Sequence, residues 1–292
     1  MRRDEARKMI SDRLQRAGIE AYEAETWIFM DWILSVPRAD FYADPGKDIP
    51  PDRIPLLEEK LSLREDRYPL QYLMGTCDFM GFSFHVDENV LIPRQDTECL
   101  VEETIRLLEE KRRFREDTET EIRVLDLCTG SGCIGISIRL LCPRTRVVLA
   151  DLSSGALEVA ARNARELGAE VTPVSGDLFR ALDHLAPEER RFDLIVSNPP
   201  YIPTGEISLL MPEVRDHEPG MALDGSPDGL DFYRRIIREA PDYLEEGGIL
   251  IFETGSEQAK DVENLLTARG FRDIRTGKDL AGLDRMICGR LS

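Results

Sequence analysis

Two short stretches of this 292-residue chain combine glycine, carboxylate and carboxamide residues at spacings that suit ligand binding. The first runs from Asp126 to Gly135 and reads Asp-Leu-Cys-Thr-Gly-Ser-Gly-Cys-Ile-Gly. It lies between a strand-like apolar run and a helical pattern, and its glycines allow a tight turn that a ligand can approach closely. The glycine spacing matches G-x-G-x-x-G, which indicates a nucleotide-like cofactor but is a weak signal alone.

Two carboxylates beside this turn narrow the class of cofactor. Asp151 ends the next apolar run, about 20 residues after Gly132, where an acidic residue can accept hydrogen bonds from a ribose diol. This feature does not separate NAD from S-adenosylmethionine, because both carry adenosine. Asp126 precedes the turn, where a carboxylate is unfavourable beside a pyrophosphate and favourable beside the sulfonium and ammonium groups of S-adenosylmethionine. We therefore expect S-adenosylmethionine.

The second stretch, Asn198 to Tyr201, directly follows the apolar run at 192–197. Pro199 and Pro200 fix φ and remove two backbone donors, so the loop is stiff and presents free carbonyls. The Asn198 side chain and the Pro199 carbonyl can each accept one N–H of a planar amino or amide group, on which the Tyr201 ring can pack. Asn-Pro turns are common after strands, but after a nucleotide-type turn we interpret this one as a substrate site.

Strand-like and helix-like patterns alternate from residue 95 onward. This alternation is typical of a doubly wound α/β fold, in which right-handed crossovers build a mostly parallel sheet. Ligands bind such sheets at the carboxyl ends of the strands, where both stretches lie. Strands are predicted at 122–127, 147–151, 171–175, 192–197 and 249–253, a closing hairpin at 271–276 and 285–288, helices at about 95–113, 154–167, 229–244 and 256–269, and a charged loop at 116–121.

The N-terminal part of the chain follows different patterns. Residues 1–75 place apolar side chains such as Ile10 and Leu14 at helical spacing, which predicts a small all-helical domain. Residues 76–94 contain alternating aromatic residues around a glycine and predict a β-hairpin that links the two domains. Residues 95–292 then form the α/β domain.

The composition is that of a soluble globular protein with an acidic surface. With 38 Lys and Arg against 56 Asp and Glu, the net charge of −18 disfavours tracking along a nucleic-acid backbone. No apolar run is long enough to span a bilayer, and the opening residues do not resemble a signal peptide. Because the six cysteines are scattered and the three histidines stand singly, we expect reduced thiols in a cytoplasmic protein, with neither a disulfide nor a metal site.

Several further stretches, taken together, resemble one family. Asn-Pro-Pro-Tyr after a strand is similar to the signature of methyltransferases that act on planar nitrogens, including DNA N6-adenine and protein N5-glutamine enzymes. Nearly the whole chain resembles the peptide chain release-factor glutamine methyltransferases, and this implies a seven-stranded Rossmann-like sheet with a helical substrate-recognition domain. The stretches that carry the resemblance lie at 91–98 (Leu-Ile-Pro-Arg-Gln-Asp-Thr-Glu), 176–179 (Gly-Asp-Leu-Phe), 218–219 (Glu-Pro), 222–225 (Ala-Leu-Asp-Gly) and 252–255 (Phe-Glu-Thr-Gly).

The resemblance also implies a role for each site residue. Cys128 stands where the family often has glycine, and Leu178 where it often has an aromatic residue, which leaves a stacking contact with adenine open. Arg94 and Glu98 either act in the site or only pin the domain junction. The implied cofactor-binding residues are Cys128, Thr129, Gly130, Ser131 and Gly132 at the methionine part, Asp151 at the ribose, Asp177 and Leu178 at the adenine, and Asn198. The implied catalytic and substrate-binding residues are Asn198, Pro199, Pro200 and Tyr201.

These assignments imply methyl transfer from S-adenosylmethionine to the N5 amide nitrogen of the glutamine in the Gly-Gly-Gln motif of class I release factors. The product of the cofactor is S-adenosylhomocysteine. We expect a monomer that binds neither membranes nor, directly, nucleic acid. The alternatives are a ribosomal-protein glutamine methyltransferase, a nucleic-acid N6-adenine methyltransferase, which the charge disfavours, and a non-catalytic binding module, against which the intact Asn198 and glycine turn argue.

Overall fold

The computed structural model describes residues 1–113 and 120–292, so most of the charged loop expected at 116–121 lies outside the described residues. The chain divides into two compact units. The helical unit comprises Met1–Met74 together with Met211–His217, and the sheet unit comprises Gly75–Leu210 and Glu218–Ser292. A segment from late in the chain therefore belongs to the N-terminal unit, which the sequence patterns do not predict.

The helices and strands have the following bounds. The helices are α1 Arg3–Arg16, α2 Tyr22–Trp32, α3 Arg38–Ala43, α4 Ile54–Glu65, α5 Leu70–Met74, α6 Asp96–Arg113, α7 Cys133–Leu141, α8 Ser154–Leu167, α9 Pro212–His217, α10 Gly220–Leu223, α11 Asp231–Glu239 and α12 Ala259–Arg269. The strands are β1 Thr76–Phe79, β2 Phe82–His85, β3 Ile122–Leu127, β4 Thr145–Asp151, β5 Val171–Ser175, β6 Phe192–Ser197, β7 Leu244–Glu253, β8 Arg272–Lys278 and β9 Asp284–Arg290.

An apolar core holds the helical unit together. Ile10 and Leu14 of α1, one helical turn apart, are buried in this core with Phe29 of α2. Leu57 and Leu61 of α4 repeat the same spacing and belong to the same core. The helical periodicity predicted for the N-terminal residues is therefore the pattern by which these helices pack.

A buried ionic cluster joins the segment Met211–His217 to the other helices of this unit. The Arg64 guanidinium of α4 donates hydrogen bonds to Glu25 of α2 at 2.7 and 3.0 Å and to Glu213 of α9 at 3.0 Å. Arg67 donates to the other Glu213 oxygen at 2.7 Å. Because Glu25, Arg64 and Glu213 are buried, loss of one partner would leave a buried charge unpaired, which is strongly destabilising.

The first two strands form the predicted hairpin at the start of the sheet unit. Met80 and Gly81 at its turn both have positive φ, as a two-residue type I′ turn requires. The backbone N–H of Met80 donates to the Glu98 carboxylate of α6 at 2.6 Å. The turn of the hairpin is thereby fixed to the first helix that follows it.

The sheet unit has the predicted doubly wound α/β fold. In the described residues its seven strands follow the order β5-β4-β3-β6-β7-β9-β8, with β3 to β7 parallel and β9 antiparallel to both of its neighbours. The register pairs Leu127 with both Ala150 and Ser197, and Ser197 with Phe252. The carboxyl ends of the four central strands, and the loops that follow them, therefore lie at one edge.

The structure differs from the sequence prediction at several element boundaries between residues 229 and 259. The helix predicted at 229–244 is α11, which ends at Glu239 and continues as a 3-10 turn, because Pro241 lacks the backbone donor of an α-helix. The strand predicted at 249–253 begins at Leu244, with an irregularity in its pairing with β6 that spans Gly247. The helix predicted from 256 begins at Ala259.

We predict that Gly135→Ala destabilises the protein by about 1–3 kcal/mol, because it overpacks the contact between α7 and β4. A Cβ atom at Gly135 would lie 2.3 Å from Leu149 Cδ2 and 3.0 Å from the Asp126 carboxylate. Urea unfolding measures the loss of stability. Gly205→Ala is the matched control, because its Cβ would meet nothing within 4 Å, and equal stability of the two variants would contradict the prediction.

Candidate active site

The turn between β3 and α7 contains a series of residues in the left-handed conformation. Cys128, Gly130 and Gly132 have φ angles of +60°, +54° and +80°. At Gly132, a Cβ atom would lie 2.7 Å from the Ile136 side chain and 3.1 Å from the Cβ of Ala160, so only glycine fits. Left-handed backbone favours glycine, which is the residue that the family resemblance implies at the position of Cys128.

Asp126 supports this turn from inside the protein. Its Oδ2 accepts hydrogen bonds from the Thr129 hydroxyl at 2.6 Å and from the Gly135 backbone N–H at 2.9 Å. Its Oδ1 is buried without a hydrogen-bond partner in the described residues. Burial raises the pKa of Asp126 from 3.8 to about 7, although both hydrogen bonds favour the charged form. The carboxylate faces the turn, as the sequence predicts, but lies behind it.

Asp151 reaches the same turn from the end of β4. Its Oδ2 accepts a hydrogen bond from the Gly130 backbone N–H at 2.9 Å, and its Oδ1 accepts one from the Ser153 N–H at 2.9 Å. Burial raises the pKa of Asp151, while these backbone donors lower it. Since a carboxylate oxygen can accept more than one hydrogen bond, the side chain retains acceptor capacity toward a ligand.

A cavity of about 470 Å³ within the sheet unit lies at this edge of the sheet. Most of the predicted site residues line it, but Gly132, Pro199 and Tyr201 do not. Gly132 packs against α7, Pro199 is buried, and Tyr201 is half-buried against an apolar core of the sheet unit. The predicted residues that line the cavity are Cys128, Thr129, Gly130, Ser131, Asp151, Asp177, Leu178, Asn198 and Pro200.

The loop that follows β6 presents Asn198 to this cavity. The Ser197 hydroxyl donates to the Leu127 carbonyl at 2.7 Å, so the loop starts at a fixed point beside the glycine turn. Asn198 is half-buried, and in the part of the chain that the structure describes no protein group bonds its carboxamide. The side chain is thus positioned by backbone geometry alone and is available to a ligand.

The continuation of this loop is paired with residues 222–225, one of the stretches that carry the family resemblance. The Ile202 N–H donates to the Leu223 carbonyl at 3.1 Å, and the Gly225 N–H donates to the Ile202 carbonyl at 2.9 Å. A Cβ atom at Gly225 would lie 2.7 Å from the Tyr201 Cα. Gly225 is therefore required for close approach of the two segments.

Arg94 and Glu98, for which the sequence leaves two possible roles, both form hydrogen bonds within the sheet unit. Arg94 lines the cavity and donates to the Glu218 carboxylate at 2.5 Å. Glu218, which is buried, also accepts a hydrogen bond from the Ile92 N–H at 3.4 Å. Glu98 binds the hairpin turn and does not line the cavity. Arg94 thus lies at the site, whereas Glu98 holds the hairpin.

Residues 1–113 and 120–292 contain no helix that is long and apolar enough to cross a bilayer, and no group of His, Cys, Asp or Glu side chains that could hold a metal ion. The six cysteines are free thiols. Burial raises the pKa of Cys133 to about 12 and that of Cys128 further. Both thiols are therefore protonated at neutral pH, and neither is a thiolate nucleophile.

Two family models match the chain, the PrmC N-terminal domain at residues 5–75 and the methyltransferase small domain at residues 107–211. The release factor glutamine methyltransferase of Geobacter sulfurreducens is 41% identical over 278 residues, covering 95% of this chain and 93% of the relative. That of Clostridium acetobutylicum is 37% identical over 278 residues, covering 94% and 93%. The chain belongs to the release factor glutamine methyltransferase family. The resemblance carried by the motifs is therefore confirmed.

Solved structures of more distant methyltransferases have a similar fold. The hMettl16 catalytic domain, in complex with the MAT2A 3′UTR hairpin 6, has a TM-score of 0.56 at 14% identity, covering 93% of this chain and 92% of that one. The T. thermophilus 16S rRNA methyltransferase RsmC, in complex with AdoMet and guanosine, has a TM-score of 0.51 at 17% identity, covering 74% and 50%. At these identities the likeness shows the fold alone, and it confirms the Rossmann-like class.

Sequence reasoning missed cavity residues on α11. Arg235 donates to the Asp177 carboxylate at 2.6 Å, and its guanidinium lies 5.7 Å from the centre of the Phe232 ring. Phe232 lines the cavity together with Leu178, at whose position the family resemblance implies an aromatic residue. The only available signal was an aromatic residue and an arginine on one predicted helix, and this does not indicate a cavity.

Sequence reasoning also missed Asn163 of α8, which connects the hairpin to the glycine turn. Its side chain accepts a hydrogen bond from the His85 N–H at 2.7 Å and donates to the His85 carbonyl at 3.0 Å and to the Ser131 carbonyl at 2.9 Å. Asn163 is buried in a helix that the sequence predicts correctly. The signal in the sequence was an asparagine on the apolar face of an amphipathic helix, where a polar side chain needs a hydrogen-bond partner.

Asp126→Asn is expected to change how stability depends on pH. Because the pKa of Asp126 is raised in the folded protein, the folded state binds more protons than the unfolded state between about pH 4 and 7. The free energy of unfolding of the wild type should therefore fall with rising pH in this window, relative to the variant, by up to about 1.4 kcal/mol per pH unit. Urea unfolding at pH 5, 6, 7 and 8 tests this, and equal slopes would contradict it.

Proposed function

We propose that this protein transfers a methyl group from S-adenosylmethionine to the side-chain amide nitrogen of a glutamine in a peptide chain release factor. The observation that carries the proposal is that the glycine turn and the unbonded Asn198 carboxamide open into one cavity. Membership of the release factor glutamine methyltransferase family supports this choice of substrate. The target we propose is the glutamine of the Gly-Gly-Gln motif in class I release factors, with S-adenosylhomocysteine as the product.

The lining of the cavity fits S-adenosylmethionine better than NAD. Asp151 retains acceptor capacity for ribose hydroxyls, and Asp126 places a carboxylate behind the glycine turn, where a sulfonium and an ammonium are favoured over a pyrophosphate. The cations among the described lining residues, Arg94 and Arg235, are each bonded to a carboxylate. This arrangement supplies no unpaired cation for a pyrophosphate.

The residues of the Asn198 loop account for the chemistry on the substrate side. The Asn198 side-chain oxygen opens into the cavity and would accept one N–H of the glutamine amide, which gains positive charge as its nitrogen attacks. The Pro199 carbonyl does not line the cavity, so Asn198 is the acceptor that this structure supports. The rigid prolines would hold Asn198 in place before the substrate arrives, which lowers the cost of orientation. S-adenosylmethionine would supply the methyl group: the N–C bond would form as the S–C bond breaks, and the methylated amide would then release one N–H proton to solvent. The amide therefore needs no prior deprotonation.

A protein substrate suits this chain better than a nucleic acid. The net charge of −18 opposes close approach of a phosphate backbone and imposes no such penalty on a protein loop that presents a glutamine. We further propose that the enzyme works as a cytoplasmic monomer, since one cavity of one chain provides both the cofactor turn and the substrate loop.

The direct experiment is incubation of the purified protein with radiolabelled S-adenosylmethionine and a panel of release factors, ribosomal proteins and DNA. Label should appear on a release factor and map to the glutamine of Gly-Gly-Gln. If label appeared only on DNA or only on ribosomal proteins, the proposed release-factor substrate would be wrong. Calorimetry with S-adenosylmethionine and NAD checks the cofactor, and binding of NAD alone would overturn that part of the proposal.

Asp151→Ala should weaken binding of S-adenosylmethionine by about 10- to 100-fold, because hydrogen bonds to a charged acceptor contribute roughly 1.5–3 kcal/mol each. Asp151→Asn, which keeps one acceptor oxygen, should show a smaller loss. Calorimetric dissociation constants provide the measurement. Asp183→Ala removes an exposed aspartate that does not line the cavity and serves as the control. An unchanged dissociation constant in Asp151→Ala would rule out the ribose role.

Asn198→Ala should lower the rate of methyl transfer by about 100-fold or more, because it removes an acceptor and loses the orientation of the amide nitrogen. The loss should be mainly in kcat, since the contact strengthens as the nitrogen gains charge. Single-turnover transfer to a release factor measures the rate, with the cofactor dissociation constant measured in parallel and expected to change little. Transfer at close to the wild-type rate would show that the loop is only a turn.

A further inference from the structure

Glu253, the last residue of β7, holds an almost fully buried carboxylate beside the start of the Asn198 loop. Its Oε1 accepts a hydrogen bond from the Tyr201 hydroxyl at 3.3 Å, and its Oε2 is buried without a hydrogen-bond partner in the described residues. A buried carboxylate is costly unless it is paired and hydrogen-bonded. Its presence here indicates a role beyond packing.

Gln258 fixes the backbone of the same tyrosine. Its side-chain amide donates to the Tyr201 carbonyl at 2.9 Å and to the Gly229 carbonyl at 3.3 Å, and its side-chain oxygen accepts from the Gly255 N–H at 3.1 Å. A Cβ atom at Gly229 would lie 2.3 Å from the Tyr201 carbonyl oxygen. Tyr201 is therefore enclosed on its backbone side, and its hydroxyl is the remaining point at which its orientation is set.

We propose that Glu253 is a positioning residue for methyl transfer, which acts through the Tyr201 hydroxyl to fix the far end of the loop that presents Asn198. Tyr201 does not line the cavity, so its contribution to the reaction is to hold this loop. The inference rests on the proposed function, because it assigns Asn198 to the substrate amide. It adds a residue from a strand other than the one that carries the loop.

Some groups around Glu253 favour its ionised carboxylate, and others oppose it. Burial raises the pKa of Glu253, and the nearby Asp96 carboxylate raises it further. Thr97 of α6, Arg285 of β9 and the Tyr201 hydroxyl face the same carboxylate and stabilise its charge. Glu253 therefore titrates above its ordinary range, and its hydrogen bond with Tyr201 is charge-assisted only above that pKa.

The tyrosine hydroxyls beside this pair do not titrate in the same range as Glu253. Burial raises the pKa of Tyr201 and Tyr233, whose hydroxyls stay protonated, and the Tyr233 hydroxyl donates to the Glu253 backbone carbonyl at 2.8 Å. Arg285 is bonded to Asp279 at 3.1 Å and remains charged. Within the pair of Glu253 and Tyr201, the ionisation of Glu253 is thus the change that a pH series would detect.

The expected consequence is a pH-dependent rate of transfer. Hydrogen bonds to an ionised acceptor are roughly twice as strong as neutral ones, so protonation of Glu253 should loosen Tyr201 and with it the loop. The proposed reaction needs no titrating base, and saturating cofactor removes the effect of Asp126 and Asp151 on binding. The single-turnover rate of the wild type should therefore rise with pH through the pKa of Glu253 and then level off.

The experiment measures single-turnover methyl transfer to a release factor from pH 5 to 9 for the wild type, Glu253→Gln and Tyr201→Phe. Tyr201→Phe removes the hydrogen bond and should be about 10-fold slower than the wild type at its plateau. Glu253→Gln keeps a neutral acceptor oxygen and should transfer at the lower rate that the wild type has below the pKa of Glu253. Both variants should be independent of pH, while their cofactor dissociation constants stay unchanged. The double variant should be no slower than Tyr201→Phe, since that substitution alone removes the interaction. Thr254→Val is the matched control, because the buried hydroxyl of this adjacent residue has no hydrogen-bond partner in the described residues.

The outcomes separate this inference from the proposed function. If the wild type transfers no methyl group to any release factor, the proposed function is wrong. If the wild type is active and both single variants keep its rate and its pH profile, the role of Glu253 alone is wrong. Tyr201→Phe decides the matter should Glu253→Gln fail to fold, which thermal denaturation detects.

Discussion

The parallel pairing of β3 with β4 and β6, and of β6 with β7, is the constraint on which the rest of the site depends. Parallel strands in register end at the same edge, so four loops that are far apart in sequence begin side by side, each about 5 Å from the next. The glycine turn, Asp151, the Asn198 loop and Glu253 each occupy one of these ends. Each of these groups owes its chemical character to its own residues, but the sheet brings the groups together.

Two buried carboxylates at this edge are arranged alike. Asp126 and Glu253 each have one oxygen bonded to a neighbouring loop and one oxygen without a hydrogen-bond partner in the described residues. Burial raises the pKa of both. Such groups cost folding stability, and proteins retain them where charge or hydrogen bonding is needed for function. In this chain each supports one of the two loops that open into the cavity.

The sequence predicts the sheet well because its strands are buried on both faces. The runs at 122–127 and 192–197 match β3 and β6, and the helix at 154–167 matches α8, which has a Ser153 cap at its start and Gly168 after its end. Boundaries failed where glycine or proline interrupts an element, as at Gly247. Contacts made between distant elements, such as those of Asn163, leave no trace in local spacing. The motifs could therefore name the loop residues of the site but not the side chains that hold them.

The ionic cluster of Arg64, Arg67 and Glu213 determines which residues have to be exchanged together when the N-terminal domain is swapped between proteins. A fragment that ends at Met74 contains both arginines and lacks the carboxylate that they share. A chimera that exchanges the N-terminal helices between family members would combine arginines from one parent with a glutamate position from the other. Domain exchange in this protein therefore has to carry residues 211–217 along with residues 1–74, and substitutions at these three positions are expected to accumulate together during divergence.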